Sequence, residues 1–496
     1  MITFILSILL LVAAYFVYGK LVERYLDVDP SRKTPAYEKG DGVDFQPLPT
    51  WKVFIIQFLN IAGLGPIFGA VTGAAFGPAA YIWIVVGCIF MGAVHDFFAG
   101  MMSIHNGGVN MPDITAKYLG NRMKGVMNFV VIFLLMAVGV SFVIGPSGLL
   151  QNLTGVSKEV WLYVIFGYYI LATLLPVDKI IGSVYPYMGA VLLFMALGVG
   201  VMMVVGDLKG THEMVELTPS VLKNWHSDPG SNMIFPMMFI VISCGAISGF
   251  HATQSPMMAR CLKNEKHARP VFYGAMIAEG IVAMVWATAA MAYFGGPEGL
   301  NAAMTDAGTM VNGELVRNLQ AADIVDMICR SWLGKVGAVI AILGVVICPV
   351  TSGDTAFRSL RLSLSDMFHY AQNSEAPCGM SSDIRDRILL LQGGFLYSLE
   401  LSRNRKPDTG FHRPLDRSSI SYKERKSALD VLSSCNFPYI HLCKFPCCGP
   451  SGSWSGSDCR LHRRSGRGTA SVRILHGIRQ EGCQARLKTR PYTSCG

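Results

Sequence analysis

An apolar segment of the chain is interrupted by the run Asn60-Ile-Ala-Gly63-Leu-Gly65-Pro66-Ile-Phe-Gly69-Ala70. A later apolar segment is interrupted by Ser243-Cys-Gly245-Ala-Ile-Ser248-Gly249-Phe-His251-Ala-Thr253-Gln254-Ser255-Pro256. An unpaired backbone group inside a bilayer costs several kcal/mol, so irregular backbone persists there only where it is buried in protein or lines a cavity. The two runs therefore predict helices that are broken inside a membrane, around a polar interior.

The composition supports a membrane protein. The chain has 496 residues and is 51% hydrophobic, and its 15% of charged residues is well below the roughly 25% of soluble proteins. Nine segments are apolar enough to cross the hydrocarbon core, which needs about 20 helical residues. In chain order, spans one to nine are expected near 2–19, 53–72, 78–99, 126–150, 160–176, 183–205, 233–250, 271–294 and 335–350. The last of these is short and is expected to run on past Pro349.

The distribution of basic residues predicts the orientation. With the N-terminus outside, the inward segments are 20–52, 100–125, 177–182, 251–270 and the stretch after 350. These segments hold 16 of the 22 Lys and Arg residues found before residue 373, as the positive-inside rule requires. We therefore expect a multi-pass protein of the bacterial inner membrane. Span one lacks a basic leader and a clear cleavage site, which favours an uncleaved helix over a signal peptide.

Spans two and seven lie five helices apart and run in opposite directions in this topology. Inverted repeats place their discontinuous helices in this way, around a binding site at the middle of the membrane. The alternative is that the small residues only allow close helix packing. The predicted substrate-binding residues are those of the two interruptions: Gly63, Gly65, Gly69, Ser248, Gly249, His251, Thr253 and Gln254.

Ionisable residues in or beside the spans are few, and each is a functional candidate because buried charge is costly. Asp96 could couple transport to a proton or cap a helix at the interface. For Glu279 an interhelical hydrogen bond is favoured over a relay. Asp354 lies in the oxygen-rich run Thr351-Ser352-Gly-Asp354-Thr355, which suits a cation or proton site, or a helix N-cap. The predicted coupling residues are Asp96, Thr351, Ser352, Asp354 and Thr355, and no metal site, catalytic residue or cofactor is expected.

Several of these motifs together resemble the carbon starvation protein A (CstA) family, in its shorter form. The resemblance covers residues 1 to about 372 and rests on Gly63-Leu-Gly65-Pro66-Ile-Phe-Gly69, Gly77-Pro78, Trp83, Gly92-Ala-Val-His95-Asp96 and Thr351-Ser352-Gly353-Asp354-Thr355-Ala-Phe-Arg358. It implies uptake of peptides or pyruvate under carbon starvation. It also implies an all-α inverted-repeat bundle of the LeuT-like, amino acid–polyamine–organocation type, with a cation site near Thr351 and Ser352. The second repeat here lacks its last two helices, so we expect a bundle that is incomplete at the C-terminus.

The last part of the chain differs from the rest in composition. Residues 1–372 hold 22 Lys and Arg against 23 Asp and Glu, whereas residues 373–496 hold 20 against 10. Only one of the 26 Met residues, but eight of the 13 Cys residues, lie after residue 372. These shifts predict a transmembrane domain over 1–372 and a frameshifted, disordered, cytoplasmic tail over 373–496. The alternative is that the tail is an ordinary additional domain.

The sequence thus favours a secondary active transporter of small organic solutes, driven by H⁺ or Na⁺. A nucleotide-binding loop of the type G-x-x-x-x-G-K-[ST] is missing, which argues against ATP as the energy source. Two alternatives stay open: a nutrient sensor, and an intramembrane enzyme that uses His95 with Asp96, or His251. The enzyme is disfavoured because neighbouring residues on a helix point about 100° apart. The expected partners are the solute and the lipid bilayer, without nucleic acid.

Overall fold

The computed structural model describes residues 1–42, 44–174, 177–218, 222–246, 248–311 and 313–367. The first half of this part contains the helices Ile2–Phe16, Tyr18–Tyr25, Pro35–Glu38, Thr50–Ala62, Ala70–Ala74, Ala79–Val86, Ala93–His105, Met111–Leu119, Asn121–Thr154 and Lys158–Leu174. The second half contains Val177–Leu208, Phe239–Ala246, His251–Ala259, Ala275–Tyr293, Pro297–Met304 and Ala321–Met367, with a 3₁₀ turn at Glu265–His267. The predicted tail, 373–496, lies outside the described residues.

Four of the helical stretches contain a π-helical turn, in which the backbone hydrogen bonds skip one residue more than in an α-helix. These turns are Gly65–Gly69, Gly87–Gly92, Ile234–Met238 and Arg269–Gly274. Each leads directly into an α-helix, and only in Ile234–Met238 does the turn itself contain a non-helical residue, Phe235. The π turns of spans three and eight therefore come shortly before Asp96 and Glu279.

The structure is a helical membrane protein, as predicted. Among the described residues, six helices are long and apolar enough to cross a bilayer, and a seventh crossing is formed by the bent pair Thr50–Ala62 and Gly65–Ala74. The remaining two predicted spans are also helical but shorter. Span five is the 17-residue helix Lys158–Leu174, and the apolar helix of span seven is Ile234–Ser243.

The helices extend beyond several of the predicted spans. The inward segment 177–182 is helical, because it belongs to the helix Val177–Leu208, whose membrane-spanning part is Tyr187–Leu208. Span nine runs on past Pro349, as predicted: its apolar part is Gly337–Arg361, within the helix Ala321–Met367, where the backbone of Gly334 is non-helical (φ 66°, ψ −177°). A short antiparallel hairpin, Thr309–Val311 with Glu314–Val316, lies between spans eight and nine and was not predicted.

Span eight occupies the centre of the bundle, and span one lies at its edge. In the most apolar window of Glu265–Tyr293, 89% of the residues are buried, against 22% in the window of Ile2–Tyr25. Small residues allow the central helix to be approached closely. A Cβ atom at Gly280 would lie 2.7 Å from Cys88 Sγ, for example. The groups carried by span eight are therefore shielded from lipid by the other spans.

A carboxylate holds the start of span one. Glu216 accepts hydrogen bonds from the backbone N–H groups of Ile2 (2.7 Å) and Thr3 (2.8 Å), and it also contacts the Thr3 hydroxyl and the amino group of Met1. Partial burial tends to raise the pKa of Glu216, but these donors outweigh it and lower the pKa to about 2. A negative charge at this position also complements the dipole of the helix.

A second polar contact joins three segments that are distant in sequence. Glu265 is fully buried, and its Oε2 atom accepts a hydrogen bond from the Asp29 N–H at 3.0 Å. The same oxygen lies 3.3 Å from Arg32 Nη1 and 3.6 Å from His105 Nε2. Glu265 therefore links the segment after span one to the end of span three and to the segment before span eight.

Close packing between spans three and eight gives a testable stability difference. A Cβ atom at Gly100 would lie 2.5 Å from the fully buried ring of Phe272, whereas at Gly148 it would meet no atom within 4 Å. Gly100→Ala should cost about 1–3 kcal/mol through overpacking. Gly148→Ala should be neutral or stabilise by up to about 1 kcal/mol, because alanine favours a helix.

The two variants can be compared by thermal unfolding in detergent. Gly100→Ala is expected to lower the midpoint relative to the unsubstituted chain, and Gly148→Ala is not. Equal midpoints for both variants would contradict the packing of Gly100 against Phe272.

Candidate functional site

Span two is broken at a single glycine. The helix Thr50–Ala62 ends at Gly63, which has φ 45° and ψ −130°, and the two halves of the span meet at 51°. This backbone conformation is open to glycine and strained for other residues. A side chain would also collide with Phe142, since a Cβ atom would lie 2.9 Å from Phe142 Cε1. The break predicted from the sequence is therefore present, and Gly63 produces it.

Span seven is also broken. The helix Phe239–Ala246 and the helix His251–Ala259 are separated by a turn that includes Ser248 and Gly249. The Ser248 hydroxyl accepts a hydrogen bond from the Phe250 N–H at 3.3 Å, and the Thr253 hydroxyl donates to the Phe250 carbonyl at 2.8 Å. Both predicted side chains thus form hydrogen bonds with the backbone of the turn itself.

The two breaks lie side by side. His251 Nε2 is 3.3 Å from the Ile61 carbonyl oxygen, one residue before the end of the first half of span two. One turn earlier, Gln57 Nε2 donates to Ser255 Oγ at 3.1 Å. These contacts join the two interrupted spans that the sequence singled out, and Gln57 was not among the predicted residues.

Span nine packs against the broken end of span two. Ser352 Oγ lies 2.7 Å from the Asn60 carbonyl oxygen, 3.3 Å from that of Leu59 and 2.9 Å from that of Cys348. The hydroxyls of Thr351 and Thr355 donate to carbonyls of their own helix, at 2.8 Å and 3.0 Å. Ser352 is therefore the member of the predicted oxygen cluster that touches the break.

The helix N-cap considered for Asp354 is wrong, because the helix continues through Pro349 and past this residue. Asp354 is 1% exposed and its Oδ2 lies 3.5 Å from the Tyr185 hydroxyl, while Oδ1 has no hydrogen-bond partner in the described part of the chain. The Tyr185 hydroxyl lies 3.2 Å from the Thr351 carbonyl oxygen, and that of Tyr169 lies 3.0 Å from the carbonyl oxygens of Phe142 and Pro349. The two tyrosines were missed because only folding brings them to span nine.

A second group of ionisable side chains surrounds His251. Asp96 Oδ2 lies 3.3 Å from His251 Nδ1, and Glu279 Oε2 lies 3.8 Å from His251 Nε2. All three side chains have no exposed surface. Asp96 Oδ1 is also 3.0 Å from His95 Nδ1, and His95 is 8% exposed. The sequence identified these residues separately but did not predict that they meet.

Two expectations about this group were wrong. Asp96 is not an interfacial cap, since it lies within a rod that runs from Ala79 to His105. Glu279 does not form the expected interhelical hydrogen bond, because neither of its carboxylate oxygens has such a partner among the described residues.

Buried amide groups complete the polar interior. Gln254 is fully buried, and neither its oxygen nor its nitrogen has a hydrogen-bond partner in the part of the chain that is described. The same holds for the side chain of Asn60. Most buried polar groups of proteins are paired, so unpaired amides beside a break can receive a polar ligand. Gln254 is thus the predicted residue best suited to bind a solute.

In the described part of the chain, the remaining predicted positions have structural roles. Gly65 and Gly69 begin and end the π turn of span two. A Cβ atom at Gly249 would lie 3.2 Å from Leu134 Cδ2, so the turn packs closely against this side chain. Arg358, counted as a residue of an inward segment, is instead 2% exposed and its Nη1 lies 3.9 Å from Asp44 Oδ1. Within the described ranges, no cluster of three or more His, Cys, Asp or Glu residues could hold a metal ion.

The fold and this interior define a polytopic, α-helical membrane protein with a buried polar centre between broken helices. The chain belongs to the CstA family: the family model described as carbon starvation protein CstA matches residues 1–145 and 123–327.

Relatives support the same assignment. An uncharacterized membrane protein of Haemophilus influenzae is 42% identical over 357 residues, which cover 63% of this chain and 96% of the relative. The peptide transporter CstA of Escherichia coli is 28% identical over 348 residues, and the pyruvate/proton symporter BtsT of the same organism is 26% identical over 344 residues. These matches cover 56% and 57% of this chain but only 48% of either transporter. The chain therefore spans about half the length of these two named relatives.

The contact between the two breaks can be tested by a double-mutant cycle. Gln57→Ala and Ser255→Ala should be non-additive by about 0.6 kcal/mol, a typical value for side-chain hydrogen bonds between membrane helices. Chemical unfolding in detergent and lipid micelles measures the four free energies of unfolding.

A matched control pairs Gln57→Ala with Thr115→Ala, because the Thr115 hydroxyl donates to Met111 within its own helix. This second cycle should be additive. If the Gln57 and Ser255 substitutions were also additive, spans two and seven would not meet as described.

Proposed function

We propose that this chain is a secondary active transporter that imports small organic solutes, either peptides or pyruvate-like carboxylates, across the bacterial inner membrane. The proposal is supported by family membership and by two relatives that are named a peptide transporter and a pyruvate/proton symporter. A role under carbon starvation follows from the same family likeness. The chain spans only part of these relatives, so its own activity has to be tested directly.

One observation in the structure carries the proposal. Gln254 and Asn60 present unpaired amides at the point where spans two and seven are broken, inside the bundle. Leaving a buried polar group unpaired costs about 1–3 kcal/mol. A solute with carboxylate or peptide groups would pair these amides and regain that free energy. We therefore assign solute binding to the space beside Gln254, with Gly63, His251 and the turn at Ser248 around it.

The architecture proposed for transport is the LeuT-like inverted repeat, with spans two and seven as corresponding helices. The contacts of Gln57 with Ser255 and of Ile61 with His251 fit this arrangement, because they bring the two broken spans together. With the N-terminus outside, spans two and seven run in opposite directions. Movement of one broken span against the other would then open the site to each side in turn.

A coupling ion has two candidate positions. The first is the contact between Ser352 and the carbonyls of Leu59 and Asn60, with Thr351, Asp354 and Thr355 nearby. Hydroxyl, carbonyl and carboxylate oxygens are suitable ligands for a hard cation such as Na⁺. The second is Asp96, whose buried carboxylate can take up H⁺. An ion at the first position would stabilise the contact between spans two and nine, and a proton on Asp96 would change its contact with His251 of span seven.

Two other functions are considered. A nutrient sensor would bind the solute through the same amides without moving it across the membrane. An intramembrane enzyme would use His251 with Asp96, which lie 3.3 Å apart. The transporter is preferred because the named relatives are transporters.

Purified chain in proteoliposomes distinguishes these functions. Uptake of labelled pyruvate and of labelled dialanine is measured with an imposed proton gradient, an imposed sodium gradient or neither. Accumulation that depends on one gradient supports the transporter and identifies the ion. Solute binding without uptake would indicate the sensor, and chemical conversion of the solute would indicate the enzyme.

The role of Gln254 predicts opposite effects on function and stability. Gln254→Leu removes a buried amide that has no partner, so the thermal midpoint should stay the same or rise. Solute uptake should fall by about tenfold or more, since a lost hydrogen bond to a buried amide is worth about 1.4 kcal/mol.

Measuring both quantities on one preparation separates binding from folding. Val140→Leu, on span four, serves as a control for the added apolar surface, and we expect it to leave uptake unchanged. The assignment of solute binding to Gln254 would be wrong if Gln254→Leu were fully active.

The role of Asp354 predicts a coupling defect. If the coupling ion binds on the Ser352 side, Asp354→Asn, which removes a buried carboxylate beside Ser352, should abolish gradient-driven accumulation. Asp326→Asn, in the same helix, removes only a surface pair with Arg330, which is worth about 0–1 kcal/mol. The control should accumulate solute normally in the same proteoliposome assay, and an equal loss in both variants would argue against a specific role for Asp354.

A further inference from the structure

Three spans each contribute one ionisable side chain to a cluster that is closed off from solvent and lipid. Asp96 comes from span three, His251 from the second half of span seven and Glu279 from the central span eight. Each of the three is 0% exposed. Such groups are rare inside membrane proteins and costly to keep there, so their convergence requires a physical explanation.

The imidazole ring lies between the two carboxylates. Its Nδ1 atom lies 3.3 Å from Asp96 Oδ2, and its Nε2 atom lies 3.8 Å from Glu279 Oε2. Neither contact has the alignment of a hydrogen bond in this conformation, and Glu279 is left without a hydrogen-bond partner in the described part of the chain. Contacts of this kind often tighten during turnover. A ring with one nitrogen towards each carboxylate has the geometry of a proton relay.

The charges around the ring favour the uptake of protons. Among the ion pairs of the described residues, both Asp96 and Glu279 pair only with histidines and never with Lys or Arg. The other titratable groups near the cluster are His95, which contacts Asp96, and the thiols of Cys88 and Cys348, which interact electrostatically with Glu279. With a neutral ring and two ionised carboxylates, the cluster would hold two uncompensated negative charges. Each bound proton removes one of them.

The broken end of span two adds to this preference. Helix Thr50–Ala62 ends next to the cluster, and the carbonyl groups in its last turn have no intrahelical partner. The C-terminus of a helix carries a partial negative charge and attracts cations. The Ile61 carbonyl lies 3.3 Å from His251 Nε2, which fits a ring with a proton on this nitrogen. The break thus places the partial negative charge of a helix C-terminus against the imidazole ring.

We propose that Asp96, His251 and Glu279 form the site that carries the coupling proton, with His251 passing it between the two carboxylates. When Asp96 is protonated, its proton moves to Nδ1 while the proton on Nε2 moves to Glu279. Asp96 is then ionised, Glu279 is a neutral acid, and the ring has changed tautomer. One proton has moved and the total charge of the cluster is unchanged.

This site deepens the proposed function and rests on it, because it names H⁺ as the coupling ion and gives its position. The His251 Nε2 proton has two possible acceptors, the Ile61 carbonyl and Glu279. When it is held by Ile61, it fixes the end of the first half of span two. When it moves to Glu279, that carbonyl is released. Proton position and the geometry of the solute site are therefore linked through one peptide group.

The transport test uses the full chain in proteoliposomes and compares net uptake with exchange. Glu279→Gln keeps the size of the side chain but cannot titrate. It should lose accumulation driven by a proton gradient, so that the solute ratio across the membrane falls to unity, while exchange of labelled for unlabelled solute continues. Exchange also shows that the variant is folded. Glu159→Gln, an exposed glutamate at the start of span five, is the control and should accumulate solute normally.

A spectroscopic test detects the proton site independently of any transport assay. Infrared difference spectra of the purified chain between acidic and alkaline pH should show the carbonyl band of a buried carboxylic acid. This band should disappear in Glu279→Gln or Asp96→Asn and shift in His251→Gln, and Glu159→Gln should leave it unchanged.

The outcomes separate the two proposals. If wild-type chain neither exchanges nor accumulates pyruvate or dialanine, the proposed function fails for these solutes, and the infrared titration alone decides whether the proton site exists. If wild-type chain transports but Glu279→Gln still accumulates solute in a proton gradient, the coupling site is overturned and the transporter stands. A missing carboxylic acid band in the wild-type spectra would overturn the site as well.

Discussion

The whole arrangement depends on what happens to peptide groups when a helix stops inside a membrane. Gly63 ends the first half of span two, and the carbonyls of Asn60 and Ile61 must then find partners other than the next helical turn. The Asn60 carbonyl receives the Ser352 hydroxyl at 2.7 Å, and the Ile61 carbonyl lies 3.3 Å from His251. Two consecutive peptide groups thus connect span two to spans seven and nine, and they connect the two candidate ion sites to each other.

The sequence predicted the general architecture because the hydropathy of a segment and the residues that break a helix are local properties. Long apolar runs identified the spans, and glycines with neighbouring polar residues identified both breaks. The spatial relations were not predictable in this way. Asp96, His251 and Glu279 each stood out as costly charges, but their meeting depends on how three helices pack.

Tyr169, Tyr185 and Gln57 carry no local signal, since a tyrosine or glutamine within a span gains its role only from the carbonyl or hydroxyl opposite. The run Thr351–Thr355 left a cation or proton site and a helix N-cap open, because its hydroxyl and carboxylate groups suit both, and only the structure shows that it lies within one helix.

The two polar clusters differ in chemistry although they share one broken helix. The Ser352 side offers hydroxyl and carbonyl oxygens with one carboxylate, whereas the His251 side offers an imidazole between two carboxylates. The first is suited to bind an ion by coordination and the second to pass a proton along a chain of groups. The unpaired amide of Gln254 belongs to the same broken span as His251. A solute that orders this span would therefore also fix the ring on which proton movement depends.

The π turns of spans three and eight also set the direction in which two buried acids point. Such a turn holds one residue more than the corresponding stretch of α-helix, and each residue rotates the following helix face by about 100°. Gly87–Gly92 precedes Asp96 and Arg269–Gly274 precedes Glu279, so the wider turn before each acid fixes its rotation about the helix axis. Deleting one residue from either turn would restore regular helical hydrogen bonding and rotate the acid away from His251. A single residue of backbone register therefore decides whether the carboxylates and the imidazole can meet.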